Sequence, residues 1–125
     1  MINLIDENLP MYTTEAEQSA TPELVEQVER LYNIVKLSDN IQFFQPQYNG
    51  SLPPITLNFI AWVSRRNELT AVEGNWRDVF KEKSVHIYSY SAGTSANMVN
   101  HFSGLLEFFG AAKVKITTTT NPEFV

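Results

Sequence analysis

The stretch Val85–Thr120, VHIYSYSAGTSANMVNHFSGLLEFFGAAKVKITTTT, decides the fold. Val85–Ser91 alternates and is rich in β-branched and aromatic residues, the mark of a strand. Thr94 or Ser95 suits the N-cap of a helix running to about Phe109. Met98, Val99, Phe102, Leu105, Leu106 and Phe109 recur at helical spacing along one stripe, and Gly110 follows as a natural C-terminal stop. Lys113–Thr120 alternates again, with Val114 and Ile116 on one side and Lys113 and Lys115 on the other. Strand, helix and strand with short joins predict a βαβ unit with a right-handed crossover.

Upstream, Pro22–Leu37 repeats the same helical stripe through Leu24, Val25, Val28, Leu31, Tyr32 and Val35. Thr21 is the expected N-cap, Pro22 suits the first turn, and Glu26 and Arg30 are spaced for an ion pair. Between the two helices the chain reads as strands. Ile41–Tyr48 is apolar and aromatic, with Pro46 restricting it to an edge. Asn49-Gly50 and Pro53-Pro54 are turn material. Ile55–Ser64 reads as a strand, Arg65-Arg66-Asn67 as a hairpin turn, and Leu69–Val72 as the returning strand. Asn75 and Asp78 are spaced to cap a short helix.

The fold class that follows is α+β. It has two layers: a mixed or mostly antiparallel sheet, two amphipathic helices on one face, and the C-terminal βαβ unit. Residues 1–20 read as an N-terminal arm or loop, in which Ile2, Leu4 and Ile5 could pin a short strand. Residues 21–125 form a single α+β domain, a size typical of one core.

Composition narrows the function classes. The 125 residues carry a net charge of −5, are 43% hydrophobic, and contain no cysteine. Disulfides, thiolate nucleophiles and cysteine metal sites are excluded. No leader-like or membrane-spanning run is present, which gives a cytoplasmic expectation. The acidity is concentrated: residues 1–30 hold seven acids against Arg30 alone, and the remainder is close to neutral. Such a balance repels nucleic acid and anionic lipid, so neither nucleic acid nor membrane is an expected partner.

Four groups of residues could carry chemistry. Ser91, Gly93, Thr94 and Ser95 follow a strand and open a helix, where free N–H groups and hydroxyls suit an anion. His86 and His101 could act as acid or base at neutral pH. Two lone histidines build no metal shell, and no dinucleotide or P-loop spacing is present, so neither metal nor cofactor is expected. Arg65–Lys83 interleaves bases, acids and aromatics, with Trp76 as an interface-type residue. His86, Tyr88 and Tyr90 share one face of a strand and could form an exposed aromatic row.

The reading these features favour is a small acidic, non-catalytic binding protein: an inhibitor, an immunity or anti-defence type factor, or an adaptor. Its acidic helix face at Glu23, Glu26 and Glu29 would steer a basic protein partner, with Trp76, Tyr88 and Tyr90 in the desolvated contact. Self-association through a sheet edge near Pro46 or Thr117–Thr120 is a further expectation. The alternative is a nucleotide- or phosphate-binding protein, or a small enzyme, with its site at residues 91–95.

Overall fold

Ten short elements follow one another in a computed structural model that describes residues 1–90 and 96–119. They are α1 (Leu4–Glu7), α2 (Thr14–Gln18), α3 (Pro22–Lys36), β1 (Asn40–Pro46), α4 (Pro54–Ser64), α5 (Arg66–Thr70), a 3-10 turn (Trp76–Val79), β2 (Ser84–Tyr90), α6 (Ala96–Phe108) and β3 (Lys113–Thr119). Contacts divide the chain into two units. The first joins Met1–Leu37 to Pro54–Val79, and the second joins Ser38–Pro53 to Phe80–Val125.

The first unit is helical. Thr21 Oγ1 accepts from the Leu24 N–H and Pro22 occupies the first turn, so α3 starts where its sequence dictates. Its stripe buries Val28, Leu31, Tyr32 and Val35, and α3 packs against α4 and α5. One turn apart on α4, Asn58 and Trp62 hold the chain at residues 10–12. Asn58 Nδ2 and Trp62 Nε1 both donate to the Pro10 carbonyl, at 2.9 and 2.8 Å. The Tyr12 N–H donates to Asn58 Oδ1 at 2.8 Å, and the Tyr12 ring meets the Trp62 ring edge-on, centroids 5.0 Å apart. Leu4 and Ile5 thus lie in a helical turn rather than the short strand that their side chains suggest. Arg30 pairs with Glu7.

Two further ion pairs tie this unit together. Arg65 Nε donates to Glu17 at 2.5 Å, and Arg66 engages Glu29 through two bonds at 2.6 and 2.8 Å. Hydrogen bonding from Arg65 holds the Glu17 carboxyl below the usual carboxylate range against the opposing cost of burial. Arg66 does the same for Glu29.

The second unit is a three-stranded sheet in the order β1-β2-β3, parallel throughout. Asn40 to Pro46 run opposite Ser84 to Tyr90, and Ser84 to Tyr90 opposite Lys113 to Thr119. The β2–α6–β3 segment is a parallel crossover. α6 covers the face that bears Phe43, Gln45, Val85 and Ile87. Phe102 meets Phe43 edge-on at 5.2 Å, Gln45 Nε2 donates to Met98 Sδ at 3.4 Å, and Phe80 packs against Phe109 at 5.3 Å. Met98, Phe102 and Leu106 are fully buried. Gly110 stops α6 at φ +82°, a conformation that suits glycine.

The sheet corrects the expected fold class. It is neither mixed nor antiparallel. The cause is one segment: Pro54–Ser64 is a helix and Arg66–Thr70 a second helix, where two hairpin strands were expected. Ile55, Leu57, Phe59, Ala61 and Val63 alternate with Thr56 and Asn58 and so mimic a strand, but Ile60 and Trp62 break that polar side, and the 11-residue length with a leading proline favours a helix. With helices between β1 and β2 the connection is long enough for a crossover, and the two strands pair in the same direction. Asn75 and Asp78 do form the expected reciprocal cap: Asn75 N–H donates to Asp78 Oδ2, and Arg77 N–H to Asn75 Oδ1.

Glu17 contributes stability above its ordinary pKa of 4.5, and that contribution is lost as pH falls through its lowered folded value. Glu17→Gln is therefore expected to unfold at lower urea than the parent at neutral pH, with the gap closing as the solution is acidified below that range. Urea midpoints measured across pH check this. Phe102→Ala should cost about 3–5 kcal/mol in the same assay, since it empties the centre of the α6 contact.

Candidate functional site

In an all-parallel sheet, ligands gather in the crevice beyond the carboxyl ends of the strands. Here those ends are Pro46, Tyr90 and Thr119, aligned by register. The segment leaving β1 is fastened to this rim: the Gln47 N–H donates to the Tyr90 carbonyl at 3.0 Å. Tyr48 and Ser51 then exchange both backbone hydrogen bonds, at 3.1 and 2.9 Å. Asn49 and Gly50 between them have φ of +52° and +69°. Two positive φ values in a two-residue turn are the type I′ pattern that Asn-Gly favours. Leu52 and Pro53 are buried and anchor the far end, while Tyr48 at the start of the turn is 54% exposed.

The turn lies beside the start of α6. A Cβ placed on Gly50 would meet Asn97 Nδ2 at 3.6 Å, ordinary contact. The rim thus combines an exposed tyrosine, the side-chain amides of Asn49 and Asn97, and a left-handed turn between them in the chain. Ser89, one residue before the end of β2, is fully buried and its Oγ has no partner among the described residues. A buried hydroxyl in that state is rare and calls for an acceptor or donor that completes it.

The residues singled out from sequence fall in several places. Ser91, Gly93, Thr94 and Ser95 lie outside the described residues. His86 sits on β2 with Nε2 2.8 Å from Thr117 Oγ1, and its ring stacks on Tyr88 at 3.9 Å. It belongs to the face opposite α6, whereas His101 is an exposed residue of α6, so the two histidines share no site. Tyr88 and Tyr90 are half-buried on the His86 face. Glu23 and Glu26 are exposed, but Glu29 is engaged by Arg66. Trp76 is half-buried under the Arg77 guanidinium at 4.9 Å. Among the described residues no group of three His, Cys, Asp or Glu could hold a metal ion, and no helix is long and apolar enough to cross a membrane. Sequence reasoning read Asn49-Gly50 as a turn but missed it as a site. Its position at a strand's carboxyl end matters only once the sheet is known to be parallel.

Three solved structures resemble this chain. FerB, a flavoenzyme NAD(P)H:(acceptor) oxidoreductase from Paracoccus denitrificans, is 23% identical with a TM-score of 0.61, covering 92% of this chain and 55% of that one. The azoreductase AzrA is 16% identical with a TM-score of 0.66, covering 94% and 67%. An azoreductase from Bacillus anthracis str. Sterne is 20% identical with a TM-score of 0.62, covering 94% and 66%. These likenesses establish a flavodoxin-like α/β fold, of which this chain spans between about half and two-thirds of the length of the structures it matches. No functionally curated protein matches the chain. A family model does, over residues 1–121, and its description is NADPH-dependent FMN reductase. That match overturns the expectation of a non-catalytic binding protein or inhibitor, which rested on acidity and on the lack of a familiar catalytic spacing: the chain belongs to the NADPH-dependent FMN reductase family.

Proposed function

We propose that this chain forms the flavin-binding body of an NAD(P)H-dependent oxidoreductase, with FMN at the carboxyl ends of β1, β2 and β3. The observation that carries the reading is the rim itself: parallel register brings Pro46, Tyr90 and Thr119 level, and the Asn49-Gly50 turn is hinged on the Tyr90 carbonyl. In flavodoxin-like sheets this is the end at which FMN binds.

The residues present fit such a group. Asn49 and Asn97 offer both donors and acceptors to a heterocycle with imide and amide edges. Tyr48 offers a ring at the rim. Gly50 lets the backbone approach a flat ligand without a side chain in the way. The Ser89 hydroxyl is a hydrogen-bonding atom still to be satisfied. No Lys or Arg lies in residues 47–53 or 96–100, so a phosphate there would be held by neutral donors. In this proposal Ser91, Gly93, Thr94 and Ser95, which precede α6 in the chain, supply those donors.

When bound, the flavin supplies hydride acceptance from reduced nicotinamide. The chain's part is to hold, orient and shield it. No described side chain at the rim has to exchange a proton, which accords with the absence of an organised acid–base pair. A cytoplasmic location, where reduced nicotinamide is supplied, completes the reading and accords with the absence of cysteine.

Titration of the full chain into FMN should quench flavin fluorescence saturably, and the loaded protein should consume NADPH. Absence of saturable quenching would overturn the proposal. Gly50→Val should weaken FMN binding by about fivefold or more, because a left-handed conformation costs a β-branched residue at least ~1–2 kcal/mol. Equal affinity for parent and variant would remove the turn from the site.

A further inference from the structure

We propose that Trp62 and Tyr12 form a one-electron relay: an oxidising equivalent captured on the Trp62 indole passes to Tyr12 and settles there as a neutral tyrosyl radical, with the phenol proton moving to Glu17. All of these residues belong to the helical unit, so the relay does not rest on the FMN reading. Trp62 on α4 is fully buried, whereas Tyr12 is half-buried and reaches solvent. Their rings meet edge-on with centroids 5.0 Å apart, a contact that an electron crosses readily. The Tyr12 hydroxyl donates to Glu17 Oε1 at 3.0 Å. A buried donor of electrons, a partly exposed one beside it and a base on the second are thus already in contact.

Unequal proton acceptors give the relay its direction. Trp62 Nε1 donates to the Pro10 carbonyl at 2.8 Å, and an amide carbonyl accepts that hydrogen bond without being basic enough to remove the proton. An indole radical cation formed here keeps its proton and stays a strong oxidant. Tyr12 instead faces a carboxylate. Arg65 donates to both Glu17 oxygens, at 2.5 and 3.1 Å, and keeps the carboxyl ionised at neutral pH. Burial, and the bond to Glu17, keep the phenol protonated. The electron therefore leaves Tyr12 with its proton: the electron fills the vacancy on Trp62, the phenolic O–H bond breaks, and a new O–H bond forms at Glu17 Oε1. The oxidant that starts the sequence takes one electron from Trp62 and is of the class able to oxidise indole, such as a photoexcited isoalloxazine. A soluble thiol resets it by returning one electron to Tyr12, while Glu17 returns the proton. Elsewhere in this unit, Arg66 lies 4.6 Å over the Tyr32 ring and Arg77 4.9 Å over the Trp76 ring. A cation against the ring face opposes loss of an electron, whereas the Arg65 charge near Tyr12 is balanced by Glu17 itself.

The test is flash photolysis of the full chain carrying W76F, which leaves Trp62 as its one tryptophan. Photogenerated tris(bipyridine)ruthenium(III) is the oxidant, so no flavin is needed. Transient absorption should show the indole radical cation decaying as the tyrosyl radical rises on the same time course. Adding Y12F should leave the indole radical longer-lived and remove that rise. Adding E17Q, whose amide can accept the hydrogen bond but not the proton, should slow the transfer by about tenfold or more, and imidazole buffer should restore it in proportion to its concentration. A base added to solution would not repair a merely misplaced ring, so the rescue separates proton acceptance from a structural role. Indole decay unaltered by Y12F, or a transfer rate unaltered by E17Q, overturns the proposal. So does a tyrosyl yield undiminished in W62F/W76F, because the surface tyrosines are then oxidised directly. Should a variant fold poorly by circular dichroism, the W76F chain alone decides: transfer should be slower in deuterium oxide than in water, and equal rates overturn the joint movement of proton and electron. FMN titration is read separately, and a chain that relays the electron but binds no flavin sinks only the proposed function.

Discussion

The parallel pairing of β1 with β2 is the constraint on which the rest depends. Residues Asn40 to Pro46 lie in register with Ser84 to Tyr90 and run the same way. A parallel neighbour cannot be reached by a tight turn, so the chain between them has to leave the sheet, and it does so as helices. The same constraint repeats between β2 and β3 through α6. Because all three strands point one way, their carboxyl ends share one rim, and the connecting segments that leave β1 and β2 start there. A site at that rim is a consequence of direction before it is a matter of particular side chains. The Asn49-Gly50 turn and Asn97 acquire meaning because direction places them together.

The segments read well from sequence are those whose periodicity has a solvent side. In α3 the stripe at Val28, Leu31, Tyr32 and Val35 is buried and Glu23 and Glu26 are exposed, so helical spacing was visible. In β2 the alternation is strict, with Val85, Ile87 and Ser89 buried between half-buried neighbours. The failure came at Pro54–Ser64. Thr56, Phe59, Ile60 and Val63 are buried at helical spacing, but the exposed Ile55 and Leu57 are apolar and the buried Thr56 is polar, so hydrophobicity hides the period. Proline at the first turn is the available signal, and beside Pro53 it reads as turn material. That one misreading gives the expectation of a mixed or mostly antiparallel sheet. The end of β2 still reads as a ligand position, at residues 91–95, whereas the end of β1 does not.

The site was less legible than the fold for a related reason. Histidines and hydroxyls attract attention because their chemistry is intrinsic. His86, however, is occupied with Thr117 and Tyr88, and His101 is an exposed helical residue on the other side of the sheet. A flavin brings its own redox chemistry, so its site needs shape, amides and backbone rather than a titrating pair. Asn49, Gly50, Ser89 and Asn97 are ordinary residues with no motif spacing. Only the crossover topology brings them to one end. The absence of a catalytic spacing therefore argued against the wrong class of enzyme, namely those whose protein groups perform the reaction.

The two faces of the sheet are stabilised by different physics, and the difference bears on what each can do. Toward α6 the order comes from exclusion of water: Ile87, Met98, Phe102 and Leu106 are fully buried, and their arrangement is fixed by close packing. On the opposite face order comes from specific geometry at partial exposure, through the stacked rings of Phe44, Tyr88 and His86 and the His86–Thr117 hydrogen bond. A packed face tolerates little change of volume. The rim proposed for FMN draws on the packed side, because α6 carries Asn97. Alternation along β2 keeps the two kinds of order on separate residues of the same strand.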